Sequence, residues 1–342
     1  MVKQNLMRYF RRTREVGWRR ALVIFVHKVR VFFFEWYKRY QARCDRATLS
    51  WSTIARREGI SSFLLFFQQI QKREFIAAHH FYDEHYVDES QLIARADAFV
   101  QKRFDLLGSG PQQFEKIPWH TDFRLASHYS SVDVHFDKQK FYKDFTIQFG
   151  VAEQLLKDIK LPWELSRFQQ AIVFGMAYQK TNNAVYAHNL VDQFCDWIEN
   201  NPYLLGPNWV CPMDVGLRAL NMVWGLQYCK NESSIEHDAW QKIIVSLYHH
   251  LIYLENNWET GIFTSNHYLS DLVGYFSLTW LFMDMPSMQQ RRDWCYQEIL
   301  RECEKQIFAE GADYEGSTRY HQLVTELFHQ FYLLCQEQRL AV

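Results

Sequence analysis

The chain has 342 residues, which at roughly 150 residues per domain points to two domains or to one large helical one. Hydrophobic residues make up 48 % and charged residues 23 %, which excludes a disordered chain, and seven scattered cysteines without a CxxC pair imply neither a disulfide framework nor a zinc site. The net charge of −1 is unevenly placed: residues 1–46 hold 13 basic and 3 acidic residues, net +10, and the remainder holds 25 basic and 36 acidic, net −11.

The first predicted element is the basic arm, residues 1–46, carrying WRRALVIFVHKVRVFFFEWYKRY. It is an amphipathic helix suited to an anionic membrane surface or a partner, or else a solvated, partly packed extension. His27, Lys28 and Arg30 break its apolar run, which is too short to span a bilayer. No small-residue cleavage site follows, so no signal peptide is read. Residues 47–146 form a helical and irregular lead-in. Within it, HHFYDEH at 79–85 offers three histidines and two acids in no familiar metal-ligand spacing. Gly108-Ser109-Gly110 is a turn rather than a nucleotide loop.

From 147 to 342 the pattern becomes regular. One helix starts at Pro162, the favoured first position for proline, and runs through WELSRFQQAIVFGMAY to the Thr-Asn-Asn at 181–183. Helices follow over 184–199, 212–229, 235–256, 265–283, 288–308 and 317–337. Every second helix starts about 50 residues after the last, the period of stacked helical hairpins. Short loops make neighbours antiparallel, so alternate helices run parallel and share one rim of N-termini. Glu164 and Arg167, Asp214 and Arg218, Asn266 and His267, and Arg319, Tyr320 and His321 would gather there. Each alone is an ordinary cap or surface charge. In register they form a rim whose helix termini suit a carboxylate-bearing ligand. In TSNHYLSDLVGYF (264–276), Leu269, Leu272, Val273 and Phe276 form an amphipathic stripe behind the N-cap candidate Ser265. Asn266 and His267 then are either capping groups or a catalytic pair.

No GxGxxG, Walker A, GxSxG or HExxH motif is present, so no cofactor and no metal is read. Nucleic-acid binding would rest on the basic arm alone. Aromatics at 17 %, with 12 Trp, are mostly core but also suit a sugar-stacking cleft.

FDLLGSGP (104–111), DIKLPWELSR (158–167), NPYLLGPNWVCPMDVGLRALN (201–221), TSNHYLSDLVGYF (264–276) and EGADYEGSTRYH (310–321) occur in the order and spacing of the heparinase II/III family. The chain resembles the N-terminal α/α-toroid domain of that family over roughly residues 85–340. The resemblance implies an all-α fold, an incomplete (α/α) toroid of antiparallel helical hairpins, and a lyase that cuts uronic-acid polysaccharides by β-elimination. Such a reaction removes the C5 proton beside the uronate carboxylate and expels the C4 oxygen. A donor must neutralise the carboxylate, a base must take the proton and an acid must protonate the leaving oxygen. By the resemblance Asn266, His267 and Tyr320 are the catalytic positions, and Asn208, Trp209 and Arg218 line the cleft, joined on the rim by Glu164, Arg167 and His321. Tyrosine titrates near 10 in isolation, so Tyr320 as a base needs a cation, for which Arg218 is the best placed.

Family enzymes continue into a C-terminal β-sandwich that closes the cleft, and this chain stops at Val342 in helical sequence. The sandwich is therefore expected to be absent and the catalytic set incomplete. The alternatives are a non-catalytic carbohydrate-binding or polysaccharide-assembly protein that keeps only the toroid, and a helical interaction scaffold. The expected partner is an acidic polysaccharide or oligosaccharide, with peripheral membrane contact through residues 1–46. The −11 body disfavours a highly sulfated one; heparan-like, alginate-like and bacterial surface polysaccharides all stay open. The resemblance places the protein in the periplasm, whereas the unseen signal peptide favours the cytoplasm or a membrane periphery.

Overall fold

Proline interrupts the chain only seven times, and the computed structural model is accordingly built from helices. It describes residues 33, 35–44, 46–74, 88–126, 134–145, 157–260 and 264–340. Most of the basic arm and the HHFYDEH stretch at 79–85 lie outside the described residues. Residues 1–47 form one compact unit and residues 48–342 a second. In the first, a helix over 35–43 stacks Trp36 on Tyr40, with ring centroids 6.1 Å apart, and leaves both rings largely exposed.

In the second unit, α1 (Trp51–Glu58), α2 (Phe63–Lys72) and α3 (Glu89–Val100) lead into a two-residue antiparallel ladder of β1 (Arg103–Phe104) with β2 (Gln112–Gln113). Gly108 and Gly110 make the turn between the strands with φ of 76° and 68°, a conformation open to glycine at no steric cost. A short α4 (Phe123–Ala126) precedes α5 (Lys160–Ser166) and α6 (Gln170–Thr181). Then come α7 (Ala184–Asn200), α8 (Pro212–Cys229), α9 (His237–Glu255), α10 (Asn266–Leu281), α11 (Met288–Gln306) and α12 (Thr318–Glu337). Asn183, Ser265 and Ser317 cap α7, α10 and α12 through their side chains, and Pro212 opens α8, each a standard start signal.

Consecutive pairs form hairpins, and α6, α8, α10 and α12 pack side by side as the inner layer of an incomplete toroid. These inner helices point the same way. Phe276 and Phe331, well inside α10 and α12, meet at 5.1 Å, while the start of α10 bonds to Glu315, just ahead of α12. Asn221 Nδ2 of α8 donates to Arg167 O at 2.8 Å, and Gly225 later in α8 faces Ala171 early in α6. Within this layer α8 and α10 share the most extensive contact and cross at Gly216 and Gly274, backbone against backbone.

Two expectations about single helices are corrected. The helix expected to run unbroken from Pro162 starts at Lys160 and breaks between α5 and α6. Phe168 there adopts φ 58° and buries its ring against Trp119, Phe194 and Trp197. The ring's burial outweighs the backbone cost, of order 1–3 kcal/mol for a non-glycine residue in this region. The stripe in α10 is not amphipathic either. Every residue of α10 except His267 is buried, because this helix has neighbours on all sides: α8, α9, α11 and α12.

Candidate functional site

The shared direction of the inner helices brings the starts of α8, α10 and α12 to one rim. Cys211, Met213, Ile159 and Trp163 form a small apolar cluster there, and Leu323 of the first turns of α12 packs against it. Tyr320 precedes Leu323 by three positions and so lies on the same side of α12. Its ring is 48 % exposed, and its backbone N–H is capped by Ser317 Oγ at 3.4 Å.

Around the start of α8, Arg167 bridges two carboxylates. Its Nε donates to Asp214 Oδ1 at 2.6 Å, and its Nη1 pairs with Glu164 Oε2 at 2.6 Å. These carboxylates, Asp214 foremost, outweigh the burial and hold the guanidinium pKa above its ordinary value. Glu164 also walls a pocket of about 270 Å³ beneath α3 and the β1–β2 turn, with Arg95, Arg103, Phe104 and Gln170.

At the start of α10, Asn266 is 3 % exposed. Its backbone N–H and its Nδ2 both donate to Glu315 Oε1, at 3.0 and 2.8 Å. Its Oδ1 has no partner among the described residues. His267 turns outward and its Nδ1 lies 3.1 Å from Glu259 Oε2. That hydrogen bond raises the imidazole pKa, against partial burial, and the charges of Glu259, Asp214 and Glu315 add to it. Glu259 is itself fixed at both ends: its carboxylate accepts from Met213 N at 3.0 Å, and its own N–H donates to Asp271 Oδ2 at 2.8 Å. Asp271 is fully buried, and desolvation drives its pKa well above the usual carboxylate range. In the first turn of α12, His321 Nδ1 accepts from Asp313 N at 3.3 Å.

Glu164, Arg167, Asn266 and His267 are thus joined to this rim by direct contacts, and Tyr320 and His321 occupy the first turn of the helix that borders it. Asn208, Trp209 and Arg218 do not line open cleft surface. All three are buried, Arg218 completely. Its guanidinium lies 4.3 Å from the Trp197 ring and 5.3 Å from Trp209. It donates to His250 Nε2 at 2.9 Å and to Asn208 O at 3.0 Å. Burial lowers its pKa to about 9. Asn208 Nδ2 in turn donates to Trp119 O and Asn201 Oδ1. An arginine with two indole faces and a neutral histidine beside it is better placed inside than out; these residues brace the loop beneath the rim.

Three rim residues escaped the sequence reading. Glu259 and Glu315 sit in loops, where a lone glutamate carries no periodic signal, and Cys211 read as a buried thiol. For Glu315 the motif EGADYEGSTRYH was the available cue. Pairing of Glu259 with His267, eight residues on, depends on the loop between them.

The sequence profile described as Heparinase II/III N-terminus matches residues 113–341. A heparin-sulfate lyase from Bacteroides thetaiotaomicron is 24 % identical over 231 residues, covering 62 % of this chain and 32 % of that protein. Among solved structures, heparan sulfate lyase HepC from Pedobacter heparinus aligns with a TM-score of 0.54 at 18 % identity, covering 82 % of this chain and 40 % of that one. A heparinase III gene product with methylated lysines gives a TM-score of 0.52 at 17 % identity, covering 73 % and 38 %. The chain therefore spans 32 % of the length of the curated relative it matches, and at these identities the structural likeness is one of fold. With a profile match over more than half of its length, the chain belongs to the heparinase II/III family, through the family's helical N-terminal domain.

Proposed function

We propose that the rim binds acidic polysaccharide and carries the lyase half-site for β-elimination at a uronic acid. The observation that carries this reading is His267. On a helix buried along the rest of its length, it alone reaches the surface, directly after Asn266 and at the same rim as the half-exposed Tyr320. Asn266 supplies the amide that neutralises the uronate carboxylate, since Glu315 takes only one of the two Nδ2 hydrogens. That contact lowers the energy of the enolate-like intermediate formed when the C5 proton leaves. His267 takes that proton, and the Tyr320 hydroxyl gives one to the departing C4 oxygen. The N-termini of α8, α10 and α12 add partial positive charge where the carboxylate sits.

Carbohydrate binding without turnover is the second reading. It is favoured by the burial of Asn266 and its engagement with Glu315, which restrain the amide that elimination would need. One assay separates the two. The chain is offered a panel of uronic-acid polysaccharides, and ultraviolet absorbance of the new C4–C5 double bond is followed for the wild type and for Tyr320→Phe. Turnover lost in Tyr320→Phe would establish the first reading. Equal turnover in both proteins would remove Tyr320 from the mechanism. Binding without turnover, weakened by Asn266→Ala, would establish the second reading.

A further inference from the structure

Outside any role in elimination, one group of side chains at the rim has the composition of a metal site. Cys211 Sγ, a carboxylate oxygen of Glu259 and His267 Nδ1 all lie within 4.8 Å of one another. From these positions we infer that Cys211, Glu259 and His267 form a three-ligand site for a borderline-soft divalent cation, Zn²⁺ in particular, with a fourth position open to solvent.

The donor set selects the metal. Thiolate and imidazole favour zinc over magnesium or calcium, which prefer oxygen alone. Three protein ligands with one open position is the arrangement of catalytic rather than structural zinc sites. Bond lengths of about 2.0–2.3 Å to N, O and S put tetrahedral ligand atoms roughly 3.3–3.7 Å apart. His267 Nδ1 and Glu259 Oε2 are 3.1 Å apart, already close to that spacing, and the sulfur needs a shift of about an ångström at most.

The ligands are held by separate elements. Cys211 is the N-cap of α8; burial, with Asp214 and Glu259 beside it, pushes its thiol pKa well up, so a cation must displace the thiol proton as it binds. Glu259 is anchored by Met213 N and, through its own N–H, by Asp271. His267 is fixed in the first turn of α10, its N–H capped by Ser265. These outer contacts orient first-layer ligands as in established metal sites. Carboxylates and cations both surround the ligands: Asp214 and Glu315 act on His267 together with Glu259, while of the two guanidinium groups near Cys211, Arg167 is paired with Asp214 and Glu164 and Arg218 is buried against Trp197 and Trp209. Zinc on Nδ1 would leave the remaining ring nitrogen protonated and without a lone pair, so His267 could not accept the C5 proton while the metal is bound.

The test is spectroscopic and independent of turnover. Full-length protein stripped with a chelator is titrated with Co²⁺, a zinc surrogate, and the near-ultraviolet thiolate-to-cobalt charge-transfer band is recorded. Zinc affinity is then measured by competition. One equivalent with the charge-transfer band is expected. The band should vanish in Cys211→Ser and persist in Cys303→Ser, and zinc affinity should fall at least about 10- to 100-fold in His267→Ala and in Glu259→Gln. His267 is exposed, so the His267→Ala protein keeps the inference testable even if Cys211→Ser misfolds, which circular dichroism would reveal. Cobalt binding without a thiolate band, as the histidines at 79–85 would give, overturns the inference. So does an affinity unchanged in His267→Ala.

Discussion

Replacing Gly274 by alanine should loosen the toroid at its most closely packed crossing. A β-carbon there would lie 2.3 Å from Gly216 O, 2.5 Å from Gly216 Cα and 2.6 Å from Gly216 C. All three are helix backbone atoms, so no side chain can swing aside, and α8 and α10 must move apart by about an ångström in a core packed at crystal density. Overpacking of this kind costs about 1–3 kcal/mol, and occasionally more. Alanine returns about 1 kcal/mol because glycine is a poor helix residue. With a rigid obstacle the upper end of the cost applies, which leaves a net loss of about 2 kcal/mol. For a unit of this size that lowers Tm by roughly 4 °C, readable as thermal loss of the helical circular dichroism signal. Gly225→Ala is the comparison. Its β-carbon meets Ala171 Cβ at 3.0 Å and Leu190 Cδ2 at 3.1 Å, side-chain atoms that can give by tenths of an ångström, so its loss should be smaller. A Gly274→Ala protein that melts at or above the wild type would refute the close crossing.

Lys230 supplies a pH test. It is buried, donates to Gln227 Oε1 at 2.9 Å and to Arg73 O, and desolvation lowers its pKa from 10.5 to about 8, with Arg73 adding to the effect. The unfolded chain therefore binds more protons than the folded one between about 8 and 10.5, and Lys230's contribution to stability rises with pH across that window. In urea unfolding, the stability difference between wild type and Lys230→Met should move in favour of the wild type over that range; a pH-independent difference would contradict the burial. Ser317→Ala removes the cap of α12 beneath Tyr320 and should cost about 1 kcal/mol, seen in the same unfolding curves. An unchanged midpoint would show that the cap contributes nothing.

The hairpin period was readable because it rests on local signals: proline at the start of α8, serine caps before α10 and α12, asparagines at the end of α7. The shared rim followed from parity alone. What the sequence hid was set by distant partners. Phe168 is no helix breaker by propensity; the break comes from a pocket built by Trp119, Phe194 and Trp197. Arg218 reads as a surface charge in any helical wheel, and only Trp197, Trp209 and His250, from other segments, make it an interior residue. The same holds for α10, whose stripe looked one-sided until neighbours covered every face. Asn266, His267 and Tyr320 stood out through the family motifs, whereas the carboxylates that hold the first two appear only once the loops are placed.

Glu315 brings a carboxylate of the protein's own to the donors that a uronate would seek. It sits on the backbone N–H and the Nδ2 of Asn266 as a tethered competitor. A group linked through the chain acts at an effective concentration in the millimolar range or above. On the proposed reading, a glycan would have to displace it or share the amide with it, so an isolated sugar unit should bind poorly, and a longer chain that engages several rim positions at once would have the advantage. Preference for polymer over monomer would then arise from an internal rival for one amide, without any need for a deep, sugar-shaped pocket.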